Sequence, residues 1–471
     1  MTLETLNSYL KARPPLSERL AAGKTLRQKT PRRELTQFKT RTGRRDAVRI
    51  LTAQARSRIA DLVPIRHARM SADPFAFFRG GAAIMAQDLA MLPSPPITVQ
   101  LCGDMHVSNF GFFSTAERRL VFGINDFDET LPGNFDWDLK RLAASAMVAA
   151  QNLGQDQVYG EHIVRHMCSI YRKYLFQYAD TPYVELTRTY IDDVAIMAQA
   201  ASPNVKNAAR RFVSQQMAKA RSNSNQSVIG KITERVGKHV RLIDRPPLVT
   251  HRTVSEGGNN IVVLLDEGLK SYADTLPSDR KHILEQYRLL DYARKVVGVG
   301  SVGLPCWILY MEGLNQHDPL FLQCKGTARS VLAPHFPDKQ FRSQGERVVS
   351  GQRLIQGAPD LFLGYGITRE VEFYMRQLRD MKGGISIGNA KGDIGVTEFY
   401  DYAGLFGWAL ANAHARSGDP AMLAGYCGKG DQLDEAMVQF AKAYSEQNLA
   451  DYEMFIKAIR AGKLRCADLE Q

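Results

Sequence analysis

The sequence has no Cys-x-x-Cys pair and no grouping of cysteine with histidine at zinc spacing; its six cysteines, Cys102, Cys168, Cys306, Cys324, Cys427 and Cys466, are scattered. This excludes a thiolate zinc centre and a disulfide-framed scaffold, and it predicts reduced thiols in a cytoplasmic protein. A long apolar run is also missing. The most apolar stretch, residues 296–311, is glycine-rich and holds Ser301 and Pro305, and the opening MTLETLNSYLKARPP lacks a basic segment followed by an apolar one. No membrane span, signal peptide or membrane partner is expected. There are no internal repeats or low-complexity tracts, and the composition is that of a globular protein, not of a fibre or a disordered chain.

Charge of one sign is scarce everywhere but in one place. The net charge is +12, from 61 Lys and Arg against 49 Asp and Glu. Between Lys11 and Ala60 stand 15 basic and 3 acidic residues, which account for the whole excess. A uniformly basic nucleic-acid coat is therefore excluded, and the basic segment needs its own explanation. No aromatic-interleaved basic motif accompanies it, so nucleic acid is only an alternative partner beside a phosphorylated or acidic small molecule.

Four regions follow from pattern. Residues 1–72 form a basic, Pro-punctuated arm with a helical rhythm over 46–63, and residues 73–290 are mainly helical, the helical pattern running on to about 294, with strand-like segments at 97–101 and 120–124. Residues 291–383 change period, at Lys295, and read β-β-β-α-β-β, and residues 384–471 return to helix, over 397–417 and 434–462, giving an α+β chain.

The densest chemistry is Gly103-Asp104-Met105-His106-Val107-Ser108-Asn109, with Asp126-Phe127-Asp128 beginning 17 residues after Asn109, at the end of an apolar strand. Carboxylates and an amide so arranged suit magnesium phosphate chemistry. Mg²⁺ takes oxygen ligands from one or two side chains and from substrate phosphates, while a neighbouring carboxylate accepts a hydroxyl proton. Asp104 is the candidate base, and Asn109 and Asp126 are candidate metal ligands. His106 either touches substrate or shapes the loop, and Arg79 in FFRGG is an anion clamp or a brace at the core edge.

Asp-x-x-x-x-Asn on a loop, followed by a strand ending in Asp-Phe, resembles the catalytic and metal loops of the protein-kinase-like superfamily, and most closely its aminoglycoside and choline kinase branch. The departures are Leu101 or Cys102 in place of a leading histidine, and Asp128 in place of glycine, either a second metal ligand or a solvated neighbour. The resemblance implies ATP as cofactor and a downstream Asp138-Leu139 bracing the catalytic loop. It also implies a glycine loop over the phosphates, a strand lysine and a helix glutamate. Gly298, Gly300, Ser301 and Gly303, then Lys325 and then Glu346 occur in that order, but after the catalytic loop. A circularly permuted two-lobe kinase-like fold is implied, with a small antiparallel-sheet lobe and a large mainly helical lobe.

Across its length the chain also resembles the bacterial domain-of-unknown-function family 2252, on the segments PFAFFRG, CGDMHVSNFG, NDFDE, FDWDLKRLA, VGVGSVG and RQLRDMKG (Arg376, Arg379 and Lys382 being basic in the last). The expected function is ATP- and Mg²⁺-dependent phosphotransfer to a small molecule. Two alternatives stand beside it: a non-catalytic nucleotide- or anion-binding module, and a metallophosphoesterase read from Asp104-Met105-His106 and Gly133-Asn134-Phe135-Asp136.

Overall fold

Alanine-rich segments such as RLAASAMVAAQ favour helix and let helices approach closely. In a computed structural model, which describes residues 9–38, 43–201, 207–237, 239–378, 381–384, 386–388 and 394–468, this segment lies in the helix Asp136–Asn152, buried on all sides from Asp136 to Ala150. Around it stand the helices Gln157–Ala179, Val396–Ser417, Pro420–Cys427 and Gln432–Arg460, sharing one large core with the strands beneath them. Segments some 250 residues apart in sequence thus build one helical body. Among the described residues no helix is long and apolar enough to cross a membrane, and none of the six cysteines forms a disulfide.

The basic arm belongs to this body. Its helix Leu16–Thr25 lies backbone to backbone on Pro420–Cys427, so close that a Cβ on Gly425 would stand 2.1 Å from the Leu20 carbonyl oxygen. Arg27 and Arg32 then donate to the carbonyls of Tyr426 and Cys427 at 2.9 and 2.7 Å, meeting groups that a helix end leaves open. Arg44 forks onto both Asp88 and Asp451. The helix expected over 46–63 is shorter, Ala47–Ala55, and a separate helix Val63–Met70 follows.

All strand pairings are antiparallel. The largest sheet has the order Gly364–Ile367, Glu372–Gln377, Pro319–Gly326, Cys306–Glu312, Arg288–Lys295, Val249–Thr250. One face packs Leu309, Met311, Leu320, Leu322, Phe373 and Met375 into a second core under the helix Ile261–Ala273. The period of two then turns Lys325 to the other face, opposite Cys306 on one side and Tyr374 on the other. The strand Arg288–Lys295 corrects the expectation that helix runs to about 294. Its polar residues hid the alternation: Arg294 is buried but bonded to Glu256 at 2.8 Å, and Arg288 pairs with Glu312. The helix Pro420–Cys427 and the hairpin of Thr233–Val236 with His239–Leu242 were also not foreseen.

Candidate functional site

One face of the helix Asp136–Asn152 holds the loop after the strand Thr98–Leu101. The backbone N–H groups of Cys102 and Gly103 donate to Asp138 at 2.6 and 3.0 Å. Three residues on, Arg141 donates twice to Asp104 Oδ1, at 2.8 and 2.5 Å. A further turn on, Ser145 accepts from the Val107 N–H at 3.0 Å. Residues i, i+3 and i+7 share a helix face, so the loop is clamped at three points by one rigid element. Asp138 is the brace expected. Arg141 went unnoticed, although its spacing from Asp138 placed it on the same face. His414, in the last turn of the helix Val396–Ser417, lies buried, 3.7 Å from Asp138 and 2.9 Å from the Tyr171 hydroxyl.

Asn109 turns its amide nitrogen inward, onto the carbonyls of Asp104 and Asp126, both at 3.2 Å, which directs its Oδ1 the other way. Asp126 follows the strand Leu120–Ile124. Its side chain is about half exposed, yet Oδ1 is shut off from solvent without a hydrogen-bond partner, 3.6 Å from Lys325 Nζ. Asp128 is placed differently from a metal ligand. Lys325 donates to its Oδ2 at 3.0 Å and the Tyr374 hydroxyl to its Oδ1 at 2.8 Å, so both oxygens are taken.

Glu346 does not meet Lys325. It caps its own helix, Gln344–Gln356, accepting from the Arg342 N–H at 2.6 Å while its N–H donates to Ser343. The helix instead contributes Arg347, fully buried, which donates to the carbonyls of Asp128, Thr130 and Ala328 and so fixes the turn that carries the acidic pair.

The glycine loop between Arg288–Lys295 and Cys306–Glu312 closes over this cluster. A Cβ on Gly300 would stand 3.5 Å from both Asp104 Oδ2 and the Arg79 carbonyl oxygen. Gly303 has φ +95°, and a Cβ there would meet Arg58 at 2.8 Å. The arm ties the loop down: Arg58 donates to the Val302 carbonyl, the Ile59 N–H to Gly303 and Arg69 to Gly298. Ser301 spends its hydroxyl on the Val297 carbonyl. Under the loop is a cavity of about 320 Å³, lined among others by Arg66, Arg79, Asp104, His106, Asn109 and Asp126. Arg376 and Lys382 line it too; Arg379 lies outside the described residues.

Electrostatics separate the groups. Burial raises the Asp126 carboxyl, but Lys325, Arg376 and Lys382 outweigh it and hold its pKa at about 2. Burial opposes the charge on Lys325, and Asp126 with Asp128 reverse that, raising its pKa well above the ordinary value. Burial, with Arg79 and Arg141 beating the opposing pull of Asp104, lowers His106 to about 4, so it is neutral near pH 7. Its Nδ1 is buried without a partner and its Nε2 is 4.0 Å from Asp104. Burial beside Arg376 and Lys325 draws Lys382 down to about 7.

Among the described residues no group of three or more His, Cys, Asp or Glu side chains is arranged to hold a metal by itself. The donor set that Mg²⁺ shares with a phosphate is smaller, and the ionised Asp126 with its unpartnered Oδ1, beside Asn109, fits it. Asp136, invoked for a two-metal site, is buried against Lys140 at 2.9 Å and Ser94 at 2.5 Å.

No curated protein and no solved structure matches the chain. Over residues 58–458, from the arginine that holds the glycine loop to the last helix, it matches a family found in bacteria. A match over most of the chain establishes membership: the protein belongs to the family described as an uncharacterized protein conserved in bacteria (DUF2252).

Proposed function

We propose that the protein is an ATP- and Mg²⁺-dependent phosphotransferase of kinase-like type, its two lobes in permuted order. What supports this most is the meeting of Lys325 with Asp126 and Asp128 beside Asp104 and Asn109, under a glycine loop, from segments about 200 residues apart in sequence. Supporting it too is the succession of three strands, the helix Gln344–Gln356 and two strands, with the glycine loop after the first strand and the lysine on the third. In this reading the sheet unit, residues 288–378, is the smaller lobe, and the helices before and after it form the larger one. The arm is the larger lobe's outer layer.

Lys325 orients the phosphate chain, and the N–H groups of the Gly298 to Gly303 loop lie over it. Asn109 and Asp126 would hold Mg²⁺, which neutralises charge on the phosphates when bound. Arg141 holds Asp104 by Oδ1, leaving Oδ2 to accept the acceptor's hydroxyl proton. The acceptor oxygen bonds to the terminal phosphorus, the bond from that phosphorus to the bridging oxygen breaks, and ADP leaves with the electron pair. Neutral His106 lies beside Asp104 without adding a second positive charge to it.

Mg-ATP should stabilise the wild-type protein against heat but not Asp126→Ala; no shift in either at millimolar nucleotide removes the proposal. The Arg141 clamp on Asp104 favours one second reading, since it already engages the carboxylate that would take the proton: a module that binds nucleotide without turnover. ADP formation across an acceptor screen decides between the two.

A further inference from the structure

The cavity wall on the Asp104 side is built from arginines whose hydrogen-bonding capacity is not used. Arg66 is 0% exposed and donates from Nη2 to Gln54 at 2.9 Å and to the Gly80 carbonyl at 2.8 Å, while its Nε and Nη1 are buried with no partner. Arg58 donates from Nη1 to Val302, and its Nε is likewise buried and alone. Arg79 has its Nε shut off in the same way, and its guanidinium makes no hydrogen bond or ion pair among the described residues. All three line the one cavity.

A buried donor left alone is costly, more so on a charged group, so three arginines in this state around one cavity need a partner. The carboxylates of the cavity do not supply it. Asp104 is held by Arg141, Asp128 by Lys325 and Tyr374, and Glu129 by the Val331 N–H at 2.7 Å. Burial also acts against the charge of Arg58, Arg66 and Arg79, and an anion brought among them would relieve that. A guanidinium offers parallel donors that match phosphate or carboxylate oxygens.

Their position sets which reactant this is. Arg79 lines the cavity with Asp104, the carboxylate that most favours its charge; Arg66, bonded to the carbonyl of Gly80, the next residue, is favoured by Glu129 and then Asp104, and Arg58 lies toward Glu129. Lys325, Arg376 and Lys382 instead surround Asp126. The arginine wall therefore stands with the base, and the lysine wall with the phosphate-chain carboxylate.

We propose that the acceptor is an anionic small molecule, bearing a phosphate or carboxylate that Arg58, Arg66 and Arg79 seat beside Asp104. This rests on the phosphotransfer reading for the word acceptor, though the anion site itself does not. Polycationic acceptors such as aminosugars are disfavoured by the same wall.

The test is calorimetric titration of the full chain with inorganic phosphate, without Mg²⁺ or nucleotide. Wild type and Lys382→Gln, which removes a cation of the other wall, should bind phosphate alike, and Arg79→Gln should bind it roughly tenfold or more weakly, the loss of about one charge-assisted hydrogen bond. Arg66→Met should behave as Arg79→Gln does if its melting curve shows it folded; Arg79→Gln breaks no internal bond and keeps the test valid if it is not. Absence of saturable phosphate binding in wild type overturns the proposal. So does equal binding by Arg79→Gln, or binding lost in Lys382→Gln, which would put the anion on the nucleotide side. Mg-ATP stabilisation of wild type is scored separately, so a failed phosphotransfer reading with an intact anion site is recognisable.

Discussion

Lys325 Nζ lies 3.0 Å from Asp128 Oδ2, although 197 residues separate the two in the chain. The same lysine is 3.6 Å from Asp126 Oδ1. Two carboxylates therefore share one buried cation, and their different surroundings divide the work: Asp128 is closed by Tyr374, while Asp126 keeps an oxygen for something else.

Replacing each carboxylate should separate these roles. Asp128→Ala removes the nearer partner of a buried lysine and should lower stability on the order of 2–3 kcal/mol, less than for a wholly orphaned charge because Asp126 remains. Asp126→Ala should cost less stability than Asp128→Ala, because Asp128 keeps the shorter bond to Lys325, and should abolish stabilisation by Mg-ATP. Denaturant unfolding with and without Mg-ATP measures both; equal stability losses would contradict the division.

Glu346 is expected to matter only to its helix. Glu346→Ala opens the cap at Gln344–Gln356, a loss of about 1 kcal/mol, with turnover and nucleotide affinity unchanged. A large fall in nucleotide affinity at wild-type stability would show that this glutamate reaches Lys325 when nucleotide is bound.

Asp104→Asn keeps the shape of the side chain and an oxygen for Arg141, so the fold and Mg-ATP binding should survive. Turnover should fall by roughly 10²–10⁴, the usual worth of a positioned base. Loss of Mg-ATP binding in parallel would recast Asp104 as part of the phosphate site.

The pH dependence of stability should carry the signature of His106. Its folded pKa of about 4 lies below the unfolded value of about 6.5, so between these the unfolded state binds more protons and stability rises with pH. The contribution is complete above about pH 6.5 and is lost progressively on acidification toward pH 4, at most on the order of 3 kcal/mol. Against wild type, His106→Gln should show a shallower change of unfolding free energy over this window. An identical slope would mean that His106 titrates normally.

Much of the candidate site's placement was legible locally. Asp104, Asn109 and Asp126 stand on a loop and a strand end as their spacing predicts, and Asp138 braces the loop from the next helix. Where reading failed, a local pattern had two physical uses. Glu346 in a helix's first turn is equally a cap, and the cap is what it forms. Asp128 looked like a ligand because sequence does not show that Tyr374 and Lys325 close on both its oxygens. Arg288–Lys295 was mistaken because paired polar residues on a strand erase the alternation that marks it.

Sequence by itself determined most element types, the confinement of the +12 charge to one segment and the loop on which Asp104, His106 and Asn109 gather, because periodicity, charge and short-range spacing are local properties. Tertiary structure alone decided which partner each charge found. The arm's arginines became helix caps, loop ties and unpaired donors around Asp104, and a lysine from a distant strand chose between two aspartates. A buried charge is governed by what lies within a few ångströms, and those neighbours come from segments that only the folded chain brings together.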